Sequence, residues 1–305
     1  MVSALVSLFC GARLGWPDDR PAAPLFELQQ LLRGSRQQNE AQIRALCHTV
    51  PLSEQTVLCR VLGRYKMFVD AADHGLSPHL MLDGYWEMWL TEALVRAVRP
   101  GMTVIDIGAN LGYFTLLIAD LVGPGGRVHA FEPNPPIAAR LKQSLSLNGF
   151  VDRSVVHECA LGDAVGREMM LVYPKGEPKN AHLVAAQRPS EDGPGPAPEE
   201  HLLKTRRLDS FTEIVHADVV KIDADTAEEA IWHGMTRLLA SNRPMTVFLE
   251  FACARYAAPD DFLAEIQRSG FTLGRLELDH GIRMVSPSDV LAAPTTVDQM
   301  LVLRR

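Results

Sequence analysis

Residues 104–115 read VIDIGANLGYFT, an acid and two glycines at the end of a hydrophobic run. Val104, Ile105 and Ile107 carry strand character, and Asp106 falls where the strand gives out. Gly108 and Gly112 frame a turn in which backbone can approach a ligand with no Cβ in the way. An α/β protein builds a nucleotide-type pocket in this manner, at the carboxyl end of its first strand. The spacing is D-x-G-x-x-x-G, not the G-x-G-x-x-G of a dinucleotide site. A diphosphate requires several converging backbone N–H groups at a helix N-terminus, whereas a ligand without phosphates does not need the third glycine.

Further acids follow at strand ends. Glu132 closes the second strand, where a carboxylate can accept hydrogen bonds from both hydroxyls of a ribose. Asp163 follows the third strand in CALGD, equally suited to reach an adenine amino group or to serve as a turn acid before Gly166. Asp223 ends the fourth strand in VVKIDAD, where it can orient an acceptor, act as a base or hold a cation with Asp225. Lys221, two residues earlier, is placed to pair with an acid. Glu250 ends the fifth strand in FLEF and faces the same crevice if the two strands are adjacent. Carboxylates are costly to bury without partners, so acids ending four strands read as a site rather than as decoration. His129, His157 and His233 are candidate bases by residue type alone. His129 reads as a strand residue of the core or its face, and His233 as a helix-surface residue. There is no H-E-x-x-H, G-x-S-x-G or Walker sequence, so protease, hydrolase and P-loop readings lose support.

These residues need a sheet to position them. From Gly101 the pattern alternates strand and helix: strands at 126–133, 153–161, 218–224 and 245–251, helices between, and final strands at 271–278 and 299–305. REMMLVYP (167–174) predicts an extra strand. Such alternation implies a mainly parallel sheet covered on both faces, an α/β fold. Ahead of it, residues 24–62 predict helices broken by Pro51, residues 64–70 a strand, and residues 83–98 an amphipathic helix. Two units follow: an N-terminal helical segment over 1–63, and a catalytic domain over 64–305 with its core at 100–305. Residues 185–200, rich in Pro, Gly and acid, predict a mobile loop, taken broadly as 175–206.

Bulk properties exclude several classes. The 305 residues carry a net charge of −7, which disfavours a nucleic-acid partner. Cys10, Cys47, Cys59, Cys159 and Cys253 show no C-x-x-C spacing, which fits reduced thiols in a cytoplasmic protein better than disulfides or zinc. The apolar start MVSALVSLFC lacks a basic flank and is too short to span a bilayer; a frayed or self-associating segment is expected, with membrane-surface contact the lesser alternative. No longer apolar run predicts a transmembrane helix.

The block from about Arg64 to Glu250 resembles the FkbM family of S-adenosylmethionine-dependent methyltransferases. The matching stretches are DGYWEMWLTEAL (83–94), GMTVIDIGANLGYFTLLIA (101–119), AFEPNP (130–135), LNG (147–149), ALGD (160–163), RLDSF (207–211), KIDADTAEEAIWHG (221–234) and FLEF (248–251). The resemblance implies a Rossmann-like methyltransferase fold, with a seven-stranded sheet whose last strand is antiparallel. It also implies methyl transfer to a hydroxyl oxygen of a sugar, glycan or natural product. By position, Asp106, Gly108, Asn110 and Gly112 would line the methionine side of S-adenosylmethionine, and Glu132 would hold its ribose. Asp163 would sit near the adenine and Asp223 near the transferring methyl. The family's I-D-x-E-G is here Ile222-Asp223-Ala224-Asp225-Thr226, so the turn after strand four is expected to differ, or to be strained less than the family norm suggests. Asp223 and Glu250 are the candidate catalytic residues. Asp223 and Asp225 offer two oxygen ligands to Mg2+ with no third assigned, which leaves metal dependence open. Trp86, Glu87, the N-terminal helices, the strand at 64–70 and the 175–206 segment are expected to shape the acceptor side; Trp86 either stacks on a sugar or packs in the core, and the N-terminal helices also suit a homo-oligomer contact. Two other readings stay open: a non-catalytic S-adenosylmethionine-binding module, and a nicotinamide-dependent oxidoreductase, against which the missing third glycine counts.

Overall fold

The computed structural model describes residues 24–186, 198–241, 243–279 and 281–305. The expectations for the first ten residues, and for the centre of the Pro/Gly/acid-rich segment, lie outside the described residues.

After a 3-10 turn at Leu28–Leu32 and helix α1 (Arg36–Leu46), the chain forms a small antiparallel sheet of β1 (Thr49–Pro51), β2 (Thr56–Val61) and β3 (Tyr65–Asp70). The helix expected over 53–63 is therefore strand β2. Its burial alternates strictly, with Val57, Cys59 and Val61 inward. The β-branched residues Thr56, Val57 and Val61 favour that two-residue period over a helical one. The boundary expected after residue 63 falls in the turn of the β2–β3 hairpin, where Leu62 and Gly63 both take positive φ.

Helices α2 (Ser77–Leu82) and α3 (Met88–Ala97) lead into the main sheet. Its strands are β4 (Thr103–Ile107), β5 (Arg127–Phe131), β6 (Ser154–His157), β10 (Val219–Ile222), β11 (Thr246–Phe251), β12 (Thr272–Glu277), β13 (Gly281–Met284) and β14 (Gln299–Arg304). They stand in the order β13-β12-β14-β11-β10-β4-β5-β6. From β6 to β11 the neighbours run parallel, and β14 is antiparallel to both β11 and β12. The last strand is thus antiparallel as expected, and hairpin strand β13 adds an eighth to the expected seven. The central strands are apolar on both faces because both faces are covered. Val104, Val128, Val219 and Phe248 pack with α3, α4 (Tyr113–Val122) and α5 (Pro135–Leu147). Ile105, Val220, Ile222, Val247 and Leu249 pack on the other side, with α6 (Glu228–His233), α7 (Thr236–Ala240), α8 (Pro259–Arg268) and α9 (Pro287–Leu291). The single helix expected after β10 breaks into α6 and α7 at Gly234, where a Cβ would lie 2.2 Å from the carbonyl oxygen of Gly162.

Inserted after β6, β7 (Glu168–Tyr173), β8 (His182–Ala185) and β9 (Glu199–Lys204) make a third, antiparallel sheet. Strands β8 and β9 therefore fall within the described parts of the expected 175–206 loop. The β7–β8 connection is tied to the loop before α2 by His74 N–H donating to Gly176 O at 2.7 Å. Among the described residues no helix is long and apolar enough to cross a membrane.

Candidate active site

The carboxyl ends of β4, β5, β10 and β11 open into one crevice of about 310 Å³. The register puts Lys221 of β10 directly beside Asp106 of β4 on one side and Phe248 of β11 on the other. Strand alternation turns these side chains to the α3–α4 face, and the residues just past the strand ends rim the opening.

At one end stands Glu132. Its two oxygens accept the backbone N–H groups of Asn110 at 2.9 Å and Asn134 at 2.8 Å. Burial pushes its carboxyl up to about 7, with those amides pulling the other way. The β4 turn keeps its own N–H groups occupied. Gly108 and Ala109 donate to Phe131 O, Asn110 to Glu132, Leu111 to the Asn110 side chain and Gly112 to Ala109 O. None of the five is left to cradle a diphosphate. Gly108 (φ +74°) has a reason of its own: a Cβ there would lie 1.7 Å from the Asp223 carbonyl oxygen.

At the other end Lys221, fully buried, lies 3.0 Å from Asp223 and 3.6 Å from Asp106. Burial pulls its ammonium down, but the carboxylates of Asp223 and Asp106 outweigh this and hold it above the ordinary lysine range. Arg255, just past β11, forms ion pairs with Glu250, Asp225 (3.5 Å), Glu228 (3.7 Å) and Asp298 (2.8 Å). One guanidinium thus serves four carboxylates. Burial raises Glu250 to about 8, Glu228 to about 7 and Asp225 to about 6, and Asp223 adds to each.

The backbone is unusual around this crevice. Among the described residues, non-glycine positive φ occurs at Leu62, Glu87, Asn110, Asp225 and Thr226. Glu87, Asn110 and Asp225 line the crevice, and Thr226 follows Asp225. Such strain concentrates where the surrounding structure forces it, commonly at functional sites. The turn at 224–226 is not relaxed: Thr226, at φ +80°, holds a conformation suited to glycine despite its branched side chain.

Of the residues expected from the sequence, Gly108, Asn110, Glu132, Asp223 and Glu250 line the crevice. Three do not. Asp106 is fully buried, accepting from Thr115 Oγ1 at 2.6 Å, and reaches the crevice only through Lys221. Gly112 faces α5, where a Cβ would meet Leu141 Cδ1 at 2.1 Å; its role is helix packing. Asp163 is a turn acid paired with Arg167 at 2.9 Å, and the crevice is lined instead by Cys159, Ala160 and Leu161. His129 and His157 bond each other at 3.2 Å, His129 lowered to about 4 by burial and its neighbour, and His233 pairs with Glu265 at 3.0 Å. Trp86 lines the crevice and packs against His79 in a tilted ring contact (5.0 Å, 55°) with Lys179 Nζ 5.1 Å from its ring centre. Among the described residues no group of three His, Cys, Asp or Glu side chains is placed to hold a metal, and Asp223 and Asp225 each face a cation. The structure also adds Arg255 and Lys179, neither of which had a signal in strand periodicity, since both sit in connections.

A profile of the methyltransferase FkbM domain matches residues 106–273. The chain is 29% identical over 217 residues to 31-O-demethyl-FK506 methyltransferase FkbM of Streptomyces tacrolimicus, covering 68% of this chain and 82% of that protein. It is 45% identical over 65 residues to a protein-L-isoaspartate O-methyltransferase of Aeropyrum pernix, covering 21% of this chain and 24% of that protein. Among solved structures, M. jannaschii TYW2 in complex with AdoMet aligns at 14% identity over 84% of this chain and 87% of that one, with a TM-score of 0.41. With a profile match over more than half its length and the Rossmann-like sheet beneath it, the chain belongs to the FkbM family of methyltransferases.

Proposed function

We propose that the chain binds S-adenosylmethionine and transfers its methyl group to a hydroxyl oxygen of a small polar acceptor, of the sugar, glycan or natural-product kind. The observation that carries this reading is the β4 turn beside Glu132: a carboxylate suited to a ribose, next to a loop whose N–H groups are all committed. A nucleoside without phosphates fits there and a dinucleotide does not. The Streptomyces relative, a 31-O-demethyl-FK506 methyltransferase by name, supports transfer to oxygen.

S-adenosylmethionine supplies an activated methyl on a sulfonium. Each Glu132 oxygen accepts one backbone hydrogen bond and keeps a lone pair for a ribose hydroxyl. Asp223 and Asp225 place negative charge at the other end, which favours a sulfonium over its neutral thioether product. Lys221 and Arg255 hold these carboxylates in place, so that acceptor oxygen, methyl and sulfur can be aligned, an effect worth several powers of ten in rate. The free thiols of Cys47, Cys59, Cys159 and Cys253 support a reducing, cytoplasmic setting.

The test is labelled-methyl transfer to glycan and small-molecule hydroxyl acceptors, with and without Mg2+. Transfer should saturate in S-adenosylmethionine and be inhibited by S-adenosylhomocysteine. Thermal protection by NAD and not by S-adenosylhomocysteine would return the oxidoreductase reading, and binding without transfer would return the binding-module reading.

A further inference from the structure

Six carboxylates line the crevice: Glu87, Glu132, Asp223, Asp225, Glu250 and Asp298. Five have partners. Glu132 is held by two backbone N–H groups, Asp223 by Lys221, and Asp225, Glu250 and Asp298 by Arg255. Taking a proton at Asp225, Glu250 or Asp298 would weaken an ion pair already made, at Asp223 it would leave the buried Lys221 ammonium with Asp106 alone, and Glu132 lies at the opposite end from Asp223. Among the described residues, Glu87 is the one of the six whose carboxylate makes no hydrogen bond or ion pair.

Its position is nevertheless fixed. Glu87 caps the N-terminus of α3 with φ +38° and ψ +65°, a left-handed conformation that a glutamate rarely adopts. Its carbonyl oxygen accepts from Leu90 at 3.0 Å and Thr91 at 2.9 Å. Thr91 Oγ1 bonds Trp86 O at 3.1 Å and lies 3.1 Å from the buried Tyr113 hydroxyl. The turn is thus held on both sides of the residue, and a half-buried, unbonded carboxylate is kept at the crevice wall.

We propose that Glu87 is the catalytic base of the methyl transfer, taking the proton of the acceptor hydroxyl on its carboxylate. The assignment rests on the methyltransferase reading of the crevice. As the acceptor oxygen bonds the methyl carbon, the methyl–sulfur bond breaks and its electron pair stays on sulfur. The hydroxyl proton passes to Glu87, which releases it to solvent once product has left. The groups facing Glu87 are Asp223 and Lys221 of the β10 end, Lys179 of the β7–β8 connection and Asp298 ahead of β14. Burial, then Asp223, raises its carboxyl to about 7, with Lys221 and Lys179 opposing. A base poised near neutral pH combines availability with driving force.

The experiment compares the native chain with Glu87→Gln. The variant should bind S-adenosylhomocysteine as the native chain does, by calorimetry, while kcat falls by about 100-fold or more. The native kcat/KM should decline as pH drops through about 7, because the base is then protonated, and this acid limb should vanish in Glu87→Gln. Glu87→Gly relieves the left-handed backbone, stays folded, loses the same activity and recovers part of it with added formate. Carbon-13 NMR should find the Glu87 carboxyl titrating near 7. Native turnover in Glu87→Gln, an acid limb that survives in it, or a Glu87 titration in the ordinary carboxylate range overturns the base assignment and leaves the methyltransferase reading standing. A native chain that neither binds S-adenosylmethionine nor transfers methyl overturns both.

Discussion

Glu132 after β5 and Glu250 at the end of β11 are both crevice carboxylates raised by burial, to about 7 and about 8, but they are held by different means. Glu132 rests on two backbone N–H groups and no side-chain cation. Amides donate to an ionised or a neutral carboxyl alike, so that end keeps its geometry whatever its charge. Glu250 rests on Arg255, which it shares with Asp225, Glu228 and Asp298. Geometry there depends on how many of four carboxylates are ionised against one guanidinium, and a bound cation relieves the imbalance. One end is built for shape and the other for charge.

Lys221 offers the hardest way to break that contrast. It is the buried cation of the charged end, and Asp106, also fully buried, has an Oδ1 with no hydrogen-bond partner among the described residues and is paired with Lys221. Lys221→Met should cost about 3–5 kcal/mol in urea unfolding, because an uncompensated charge is left in the core. The double variant Lys221→Met with Asp106→Asn should recover much of the loss, since a neutral amide strands no charge. A single variant as stable as the native chain would show that the Asp106–Lys221 contact carries little of the fold.

The next effect tests the Glu132 end alone. Glu132→Ala removes an acceptor for both ribose hydroxyls, each bond to a charged group being worth about 1.5–3 kcal/mol. S-adenosylhomocysteine binding measured by calorimetry should weaken by about 100-fold, or roughly 3 kcal/mol. Glu250→Ala should weaken it far less, since S-adenosylhomocysteine lacks the sulfonium charge that the other end favours. Equal losses in the two variants would erase the distinction between the ends, and unchanged binding in Glu132→Ala would sink the ribose assignment.

The sequence exposes the half of the site that strands carry. Asp223, Glu250 and Glu132 are readable because a run of buried apolar residues points to its own end, and Gly108 because a turn so close to another backbone needs a missing Cβ. The parallel order of the central strands follows from the strand–helix alternation. What escapes are residues delivered by connections. Arg255 lies in a 3-10 turn and Lys179 in another. Glu87 is marked by the sequence as an acceptor-side residue, but the left-handed cap that holds it is announced by no periodicity. Gly112 and Asp163 each match a motif position; in the fold Gly112 packs against Leu141 of α5, and Asp163 pairs with Arg167 as the turn acid that the sequence equally allowed. Strand β2 is legible in its β-branched Thr56, Val57 and Val61, and its pairing with both β1 and β3 fixes its two-residue period.

The smallest effect probes where strain is stored. Thr226, solvent-exposed at φ +80°, gains nothing from burial in return for its conformation. Left-handed strain at such a residue costs about 1–3 kcal/mol, while a glycine costs about 0.5–1 kcal/mol in chain entropy. Thr226→Gly should therefore raise stability by about 1 kcal/mol in urea unfolding. Asn110→Gly at the other end should not. Asparagine tolerates the left-handed region, and the Asn110 side chain accepts the Leu111 N–H at 2.7 Å, a bond glycine cannot make. If both substitutions stabilise, strain is spread around the crevice. If only Thr226→Gly does, it resides in the turn that carries Asp225 to Arg255, the charge-crowded end, and a drop in methyl-transfer rate alongside the gain in stability would tie that strain to acceptor positioning.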